Sequence, residues 1–256
     1  MPLKEWGVNI YRGILTGYND AFIISGAKKD ELIAADPKSA EIIRPILRGR
    51  DIKRYGYNFA DLWLIHTHNG IKEKHIPPVD INLYPVIKAH LDKSYPALEK
   101  RQDKGITPYN LRNCAYTDDL NRQKILWSEI SDIPKFALDE EGEFYITNKV
   151  FLMTGNVNLW YLYAFFNSLI CEIYFSFIAS TTGEGTSQWF KYKVESIPVP
   201  KCNLCDETDI INLAKLVLSS KNNFDRDMAV NKIDKLFFKA FNFSNDEINH
   251  FNASSR

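Results

Sequence analysis

The run from Val157 to Ala179 is the most apolar stretch of the chain. It carries Asn158, Asn167, Ser168 and Glu172, groups that a membrane-spanning helix tolerates poorly. Leu159, Leu162, Phe166, Leu169, Ile173 and Phe177 recur at helical spacing, which predicts one long helix with a buried stripe. A helix this apolar needs other elements packed against it, so the rest of the chain must supply a layered core. With 256 residues, a hydrophobic content of 45% and a charged content of 25%, the chain can build one. No apolar leader follows Met1, so a soluble, cytoplasmic protein is expected.

The remaining pattern mixes short strands and helices. Val8 to Ser25 reads as two strands around a turn at Gly13 to Gly17. A short helix covers Lys28 to Ala35. Asp36 and Pro37 then open a second helix over Ser39 to Ile43, which stops near Pro45. Asp61 to His66 and Lys124 to Ile130 are strand candidates. Phe136 to Leu138, Phe144 to Ile146 and Val150 to Met153 suggest a meander. Ile81 to Lys100 is expected to be mostly helical, with a polar loop from Lys100 to Arg112. The last fifth carries two helical stripes, and Ser244 to Glu247 fits a capping box. The expected fold is α+β: a mixed, mainly antiparallel sheet region with packed helices over residues 1–200, and a C-terminal helical extension over residues 201–256 packed on it.

Charge and chemistry narrow the function. Lys and Arg number 32 and so do Asp and Glu, so any nucleic-acid affinity has to come from local clustering. Such a cluster exists: Arg44, Arg48, Arg50, Lys53 and Arg54 lie within eleven residues, with Asp51 among them. On spacing alone this is a solvated charge run with one buried Arg–Asp pair. Planar guanidiniums on a fixed backbone would also suit phosphate or a guanine edge. Cys202 and Cys205 have a CxxC spacing without a second ligand pair. His66 and His68 could share a strand face, but a metal would need a further ligand. Asp36-Pro37-Lys38 and Asp51-Ile52-Lys53 fit the acid-x-Lys triplet of metal-dependent nucleases, a triplet that arises readily by chance. There is no GxSxG, HExxH or GxGxxG, and the Ser180 to Ser187 loop lacks the P-loop pattern. No catalytic residue or metal ligand is assigned.

Several segments, in order, resemble one known family. Trp6 to Ile24, Ile42 to Ile52, Trp63-Leu64-Ile65, Thr107 to Arg112, Lys124-Ile125 with Glu129-Ile130, Tyr161 to Ser168, Ile197 to Pro200 and the tail from Ile233 to Ile248 are similar to the TaqI-like C-terminal specificity domain. That domain is the target-recognition part of adenine-specific DNA methyltransferases and of fused type II restriction–modification enzymes. The Asn-Pro-Pro-Tyr and S-adenosylmethionine-binding glycine motifs of the methyltransferase half are not in this sequence. The resemblance therefore implies a C-terminal piece of a longer enzyme, one that binds double-stranded DNA in a sequence-specific way and does not itself modify it. S-adenosylmethionine, and magnesium where the parent also cleaves DNA, would belong to the missing part, and the chain itself would hold no cofactor. Its partners would be duplex DNA and a linked or associated methyltransferase domain.

Under the resemblance the basic stretch becomes DNA-facing. Arg48, Arg50, Lys53 and Arg54 are the first candidates for DNA contact. Asn110 and Arg112 are the second, since Asn suits adenine and Arg suits guanine. Thr181, Thr182, Ser187, Gln188, Lys191 and Lys193 form a third group. Arg50 and Asp51 are singled out as a structural pair. Two rival functions stand beside DNA recognition: a protein–protein docking module and a metal-dependent nuclease.

Overall fold

A strand buried at successive positions must be covered on both faces, and Lys124 to Ser128, with its first four residues buried, is such a strand. The computed structural model describes residues 1–180, 185–244 and 246–248. In chain order the strands are β1 (Val8–Arg12), β2 (Ile23–Ser25), β3 (Ile43–Leu47), β4 (Ile52–Lys53), β5 (Gly56–Tyr57), β6 (Leu62–Ile65), β7 (Lys124–Ser128), β8 (Ile130–Ser131), β9 (Phe136–Asp139), β10 (Tyr145–Ile146), β11 (Val150–Gly155) and β12 (Ser187–Gln188). The α-helices are α1 (Asn19–Phe22), α2 (Gly26–Ala35), α3 (Pro85–Asp92), α4 (Tyr95–Lys100), α5 (Thr117–Leu120), α6 (Leu159–Phe166), α7 (Leu169–Ile178), α8 (Lys191–Ser196), α9 (Leu204–Ser219) and α10 (Asn223–Ala240).

The fold is α+β, and its first sheet separates two cores. The sheet is antiparallel with order β1-β11-β7-β9. The row Ile10, Met153, Ile125, Leu138 faces α6, α9 and α10 with their buried Tyr161, Ile210, Ile233 and Phe237. The next row, Tyr11, Leu152, Leu126, Ala137, faces the second core. That core is closed by the sheet β10-β3-β6-β2, parallel only between β10 and β3, and by α2 and α3. Alternation across the pleat gives each side of the first sheet its own set of partners.

Several expectations are corrected. The long helix is two helices bent by 65° at Asn167-Ser168. Ser168 caps α7 by accepting from the Cys171 N–H, and the turn resets the stripe. In α7 the buried residues are Ile170, Cys171 and Phe175, whereas Phe177 is 79% exposed. The meander does not form. The Asp139 carboxylate takes the N–H groups of Glu143 and Phe144 at 3.1 and 2.9 Å, which turns the chain away and sends β10 to the other sheet. Strands β1 and β2 likewise belong to different sheets, with α1 between them. Ser39 to Ile43 is a 3-10 turn over Pro37–Ile42 that passes into β3, because the residue before Pro45 disfavours helix. Ile81 to Lys100 breaks into a 3-10 turn, α3 and α4, each α-helix starting at a proline turn. The Ser244–Glu247 capping box is present, with reciprocal bonds of 2.8 and 3.3 Å. Among the described residues no single helix is long and apolar enough to cross a membrane.

Asp234 on α10 accepts the Leu169 N–H at 2.8 Å, at the start of α7. Burial pushes its carboxyl up to about 6, against the pull of the Leu169 N–H and Arg54. A carboxyl with a raised folded-state value takes up a proton on folding between that value and its ordinary one. Stability is therefore expected to rise by about 1 kcal/mol between pH 7 and pH 5 through this group. Urea unfolding at the two pH values checks it: Asp234→Asn keeps the acceptor and should lose that increment.

Candidate nucleic-acid interface

The basic stretch splits into cations turned inward and cations turned out. After β3 the chain makes a 3-10 turn over Gly49–Asp51. Asp51 is 4% exposed and accepts the Arg48 N–H at 2.8 Å, with Arg48 Nε at 3.0 Å and Nη2 at 2.8 Å. This is a bidentate fork closed on its own turn. Burial raises the Asp51 carboxyl, but the hydrogen bonds and charge of Arg48 outweigh it and hold it below its ordinary value. The partner of Asp51 is thus Arg48, not Arg50.

Arg54 lies at the other end of the stretch. Its Nε and Nη2 donate to the Asn167 carbonyl at 3.0 and 2.7 Å, and its Nη1 meets Glu172 at 3.1 Å. It thereby satisfies a carbonyl at the C-terminus of α6, where a cation is favoured. Arg44 folds back on the carbonyls of Ala40, Glu41 and Ile43. Arg50 and Lys53 are exposed, and Lys53 Nζ donates to the Arg50 carbonyl at 2.9 Å.

The turn that carries Arg50 sits on a second group of cations. A Cβ on Gly49 would lie 2.5 Å from Ser128 Oγ and 3.6 Å from the Lys149 carbonyl, so the turn rests closely on both and a side chain there would have to push the Ser128 hydroxyl aside. Next to Ser128 is Glu129, 8% exposed. Its Oε2 accepts Arg12 Nη2 at 2.6 Å and pairs with Lys149 Nζ at 3.3 Å. Arg12 also donates Nε to the Asn148 carbonyl at 2.6 Å and lies over the Phe151 ring. Its own carbonyl accepts the hydroxyl of Tyr116, which stacks on Tyr11. The side chains of Arg12 and Lys149 remain 47% and 66% exposed. One nearly buried carboxylate thus fixes two cations that face solvent.

The Lys100 to Arg112 loop joins the same edge. Arg112 pairs with Asp103 at 3.2 Å and is 55% exposed. It lines a cleft of about 230 Å³ with Arg12, Asn148 and Tyr116. Asn110 is buried: its amide donates to the Val79 carbonyl at 2.9 Å and its oxygen accepts Thr107 Oγ1 at 2.6 Å. Gln188, in β12, pairs with Ile130 beside Glu129 and is half-buried. Lys191 is exposed and pairs with Glu195 at 3.6 Å. Lys193 is buried and donates to Ser180 Oγ at 2.7 Å. Thr181 and Thr182 lie outside the described residues.

The structure therefore brings Arg50, Arg112 and Gln188 towards one edge, together with Arg12 and Lys149, which the sequence did not single out. It places Arg48, Arg54 and Asn110 in internal contacts. The one sequence signal for Arg12 is an arginine closing a strand; its partner Glu129 is 117 residues away. His66 is buried among Tyr145 and His68, and burial pushes it down to about 3, which keeps it neutral. Among the described residues no group of three or more His, Cys, Asp or Glu could hold a metal ion.

Comparison with known proteins agrees with the fold. The TaqI-like C-terminal specificity domain family matches residues 44–199. No curated protein matches the chain at a significant level. Among solved structures, the type IIL restriction–modification enzyme MmeI in complex with DNA aligns with 95% of this chain at TM-score 0.72 and 14% identity, through 33% of its own chain. The type IIG restriction endonuclease BpuSI aligns with 94% at TM-score 0.54 and 13% identity, through 31% of its own chain. The chain spans about a third of the length of each of these proteins.

Proposed function

The chain belongs to the TaqI-like C-terminal specificity domain family, and on that basis we propose that it recognises double-stranded DNA for a restriction–modification enzyme. The observation that carries the reading is the group of cations around Glu129: Arg12 and Lys149 share its carboxylate, Arg112 lines a cleft with Arg12, and the turn that carries exposed Arg50 rests against Ser128 and the Lys149 carbonyl. They stand together in a protein of zero net charge. Lys53, Gln188 and Lys191 extend the candidate surface, and Arg48, Arg54 and Asn110 act as its scaffold. The parent enzyme would carry an adenine-N6 methyltransferase, with S-adenosylmethionine, and in a fused form a magnesium-dependent nuclease. Residues 1–200 would form the recognition part and residues 201–256 a helical extension packed on it.

A second reading, docking against the methyltransferase part, is favoured by one feature. Leu213, Leu216 and Leu236 form an apolar groove of about 530 Å³ between α9 and α10, rimmed by Asp209, Lys232 and Lys235. The two roles use different surfaces and are compatible.

The test uses variants that leave the buried pairs intact. Arg50→Ala/Arg112→Ala is expected to weaken duplex binding about tenfold or more at low salt, with the melting temperature unchanged. Arg54→Ala is expected to lower the melting temperature, because it uncovers the Asn167 carbonyl and leaves Glu172 without its partner. Fluorescence anisotropy and thermal melts read both. Unchanged affinity for the double variant would remove the edge from the interface.

A further inference from the structure

The loop from Arg101 to Asn113 has almost no regular structure, yet it is fixed by buried polar groups. Arg101 is 7% exposed, and its guanidinium donates to the carbonyls of Thr16, Asp103, Pro108 and Asn110. The Asn110 side chain ties the loop to Val79 and Thr107, and the Leu111 N–H reaches the Thr67 carbonyl at 2.8 Å. A Cβ on Gly105 would lie 2.2 Å from Asn69 Oδ1, so glycine is required where the loop meets Asn69.

What this scaffold displays has no role in the core. Ile106 is 72% exposed. Its N–H donates to Asn69 Oδ1 at 2.7 Å, and Asn69 Nδ2 donates in turn to Asn113 Oδ1. The chain of bonds fixes both amides in one orientation and leaves the Asn113 Nδ2 donors facing outward on an exposed residue. Asn69, Ile106 and Asn113, with Ile71, Ile76 and Pro78, line a cleft of about 480 Å³. It meets the Arg12–Arg112 cleft at Asn113 and Cys114. An exposed isoleucine gains nothing from phosphate, and the neutral amide beside it adds no charge attraction to one. Beside a group of cations they suit what phosphate contacts leave unread: a hydrogen-bond acceptor and a methyl group on a base edge.

We infer that the Asn69–Asn113 amide pair and Ile106 read a thymine-containing base pair in the major groove. The Asn113 amide donates to adenine N7 or thymine O4, and Ile106 packs on the thymine 5-methyl group. This rests on the DNA-recognition reading and assigns the specificity within it. Arg12 and Arg112 hold the neighbouring backbone, and Asn110 is the buried peg of the loop.

The test selects bound sequences from random duplexes with the wild-type chain, Ile106→Ala and Asn113→Ala. It then exchanges thymine for uracil at the preferred positions. Wild type is expected to prefer one A·T pair and to lose at least about fivefold in affinity when its thymine is replaced by uracil. Ile106→Ala should be indifferent to that exchange, and Asn113→Ala should relax the preference, both with the wild-type salt dependence. The exchange is read on the wild-type protein, so it needs no variant to fold. Wild type that binds duplex but is indifferent to uracil at every selected position overturns the inference and leaves the DNA-recognition reading standing. A preference retained by both variants also overturns it. Failure of wild type to bind any duplex overturns both.

Discussion

Replacement of Asn167 by alanine is expected to destabilise the fold by about 4 kcal/mol or more. Asn167 is fully buried at the bend between α6 and α7, and its side-chain amide makes four hydrogen bonds. Oδ1 accepts the N–H groups of Phe136 at 3.1 Å and Tyr55 at 3.3 Å. Nδ2 donates to the carbonyls of Phe136 and Tyr163, both at 2.9 Å. Strand β9 is an edge of its sheet, and the outward backbone groups of Phe136 have no strand to pair with. Asn167 stands in for that strand. It also receives the N–H of Tyr55, a bulky residue at φ 57° whose left-handed backbone needs such support. Alanine would strand several buried backbone groups at once. Asn167→Asp tests the mechanism, since a carboxylate accepts but cannot donate to the Phe136 carbonyl, and it should fail nearly as badly. Urea unfolding of the three proteins gives the answer, and a loss under about 1 kcal/mol for Asn167→Ala would show that the bend is held by packing alone.

The second large effect lies in the first sheet. Lys124 is fully buried and Asp139, its cross-strand partner in β7 and β9, is 3% exposed. Nζ is 2.5 Å from Asp139 Oδ2 and 2.7 Å from the Leu120 carbonyl. Burial lowers the Lys124 ammonium from its ordinary value, and Asp139 pulls it back up. Lys124→Met leaves a buried carboxylate without its cation, which is expected to cost about 3–5 kcal/mol. Asp139 takes the Glu143 N–H on Oδ1 and the Phe144 N–H on Oδ2, and in Lys124→Met/Asp139→Asn the single amide oxygen keeps one of the two, so the double variant should recover part of that loss by removing the unpaired charge. A double-mutant cycle in urea measures the coupling. If the double variant is as unstable as Lys124→Met alone, the pair is not what sets the turn into β10.

Much of the fold was legible because local chemistry and tertiary structure agree. Asp36 does cap the turn that begins at Pro37, the Ser244–Glu247 box forms, and the apolar runs at 62–65 and 124–128 are strands. The break at Asn167 was hidden because apolar residues continue at helical spacing through it. Ser168 offers a local cap, but the partners that satisfy the Asn167 amide, from β9 and the segment after β4, are distant in sequence and make the stop favourable. Asp51 could have paired with the arginine one residue before it or three before it. The 3-10 turn at Gly49 decides for Arg48 and frees Arg50. The interface was legible only as a family order of segments. Arg12, Glu129 and Lys149 come from strand ends and a turn far apart in the chain, and no local pattern joins them. Asn110 illustrates the converse: its residue type suits a base edge, but its burial makes it the support for its exposed neighbours Ile106, Arg112 and Asn113.

The most direct measurement of DNA recognition is the salt dependence of duplex binding by the whole chain. Arg12, Arg50, Arg112 and Lys149 placed against phosphates would release about as many counterions, so log K against log salt should fall with a slope of about −3 to −4. Arg50→Ala should reduce that slope by about one. A duplex affinity that does not change with salt, or a slope unaltered by loss of Arg50 and Arg112 together, would contradict the placement of DNA on this edge.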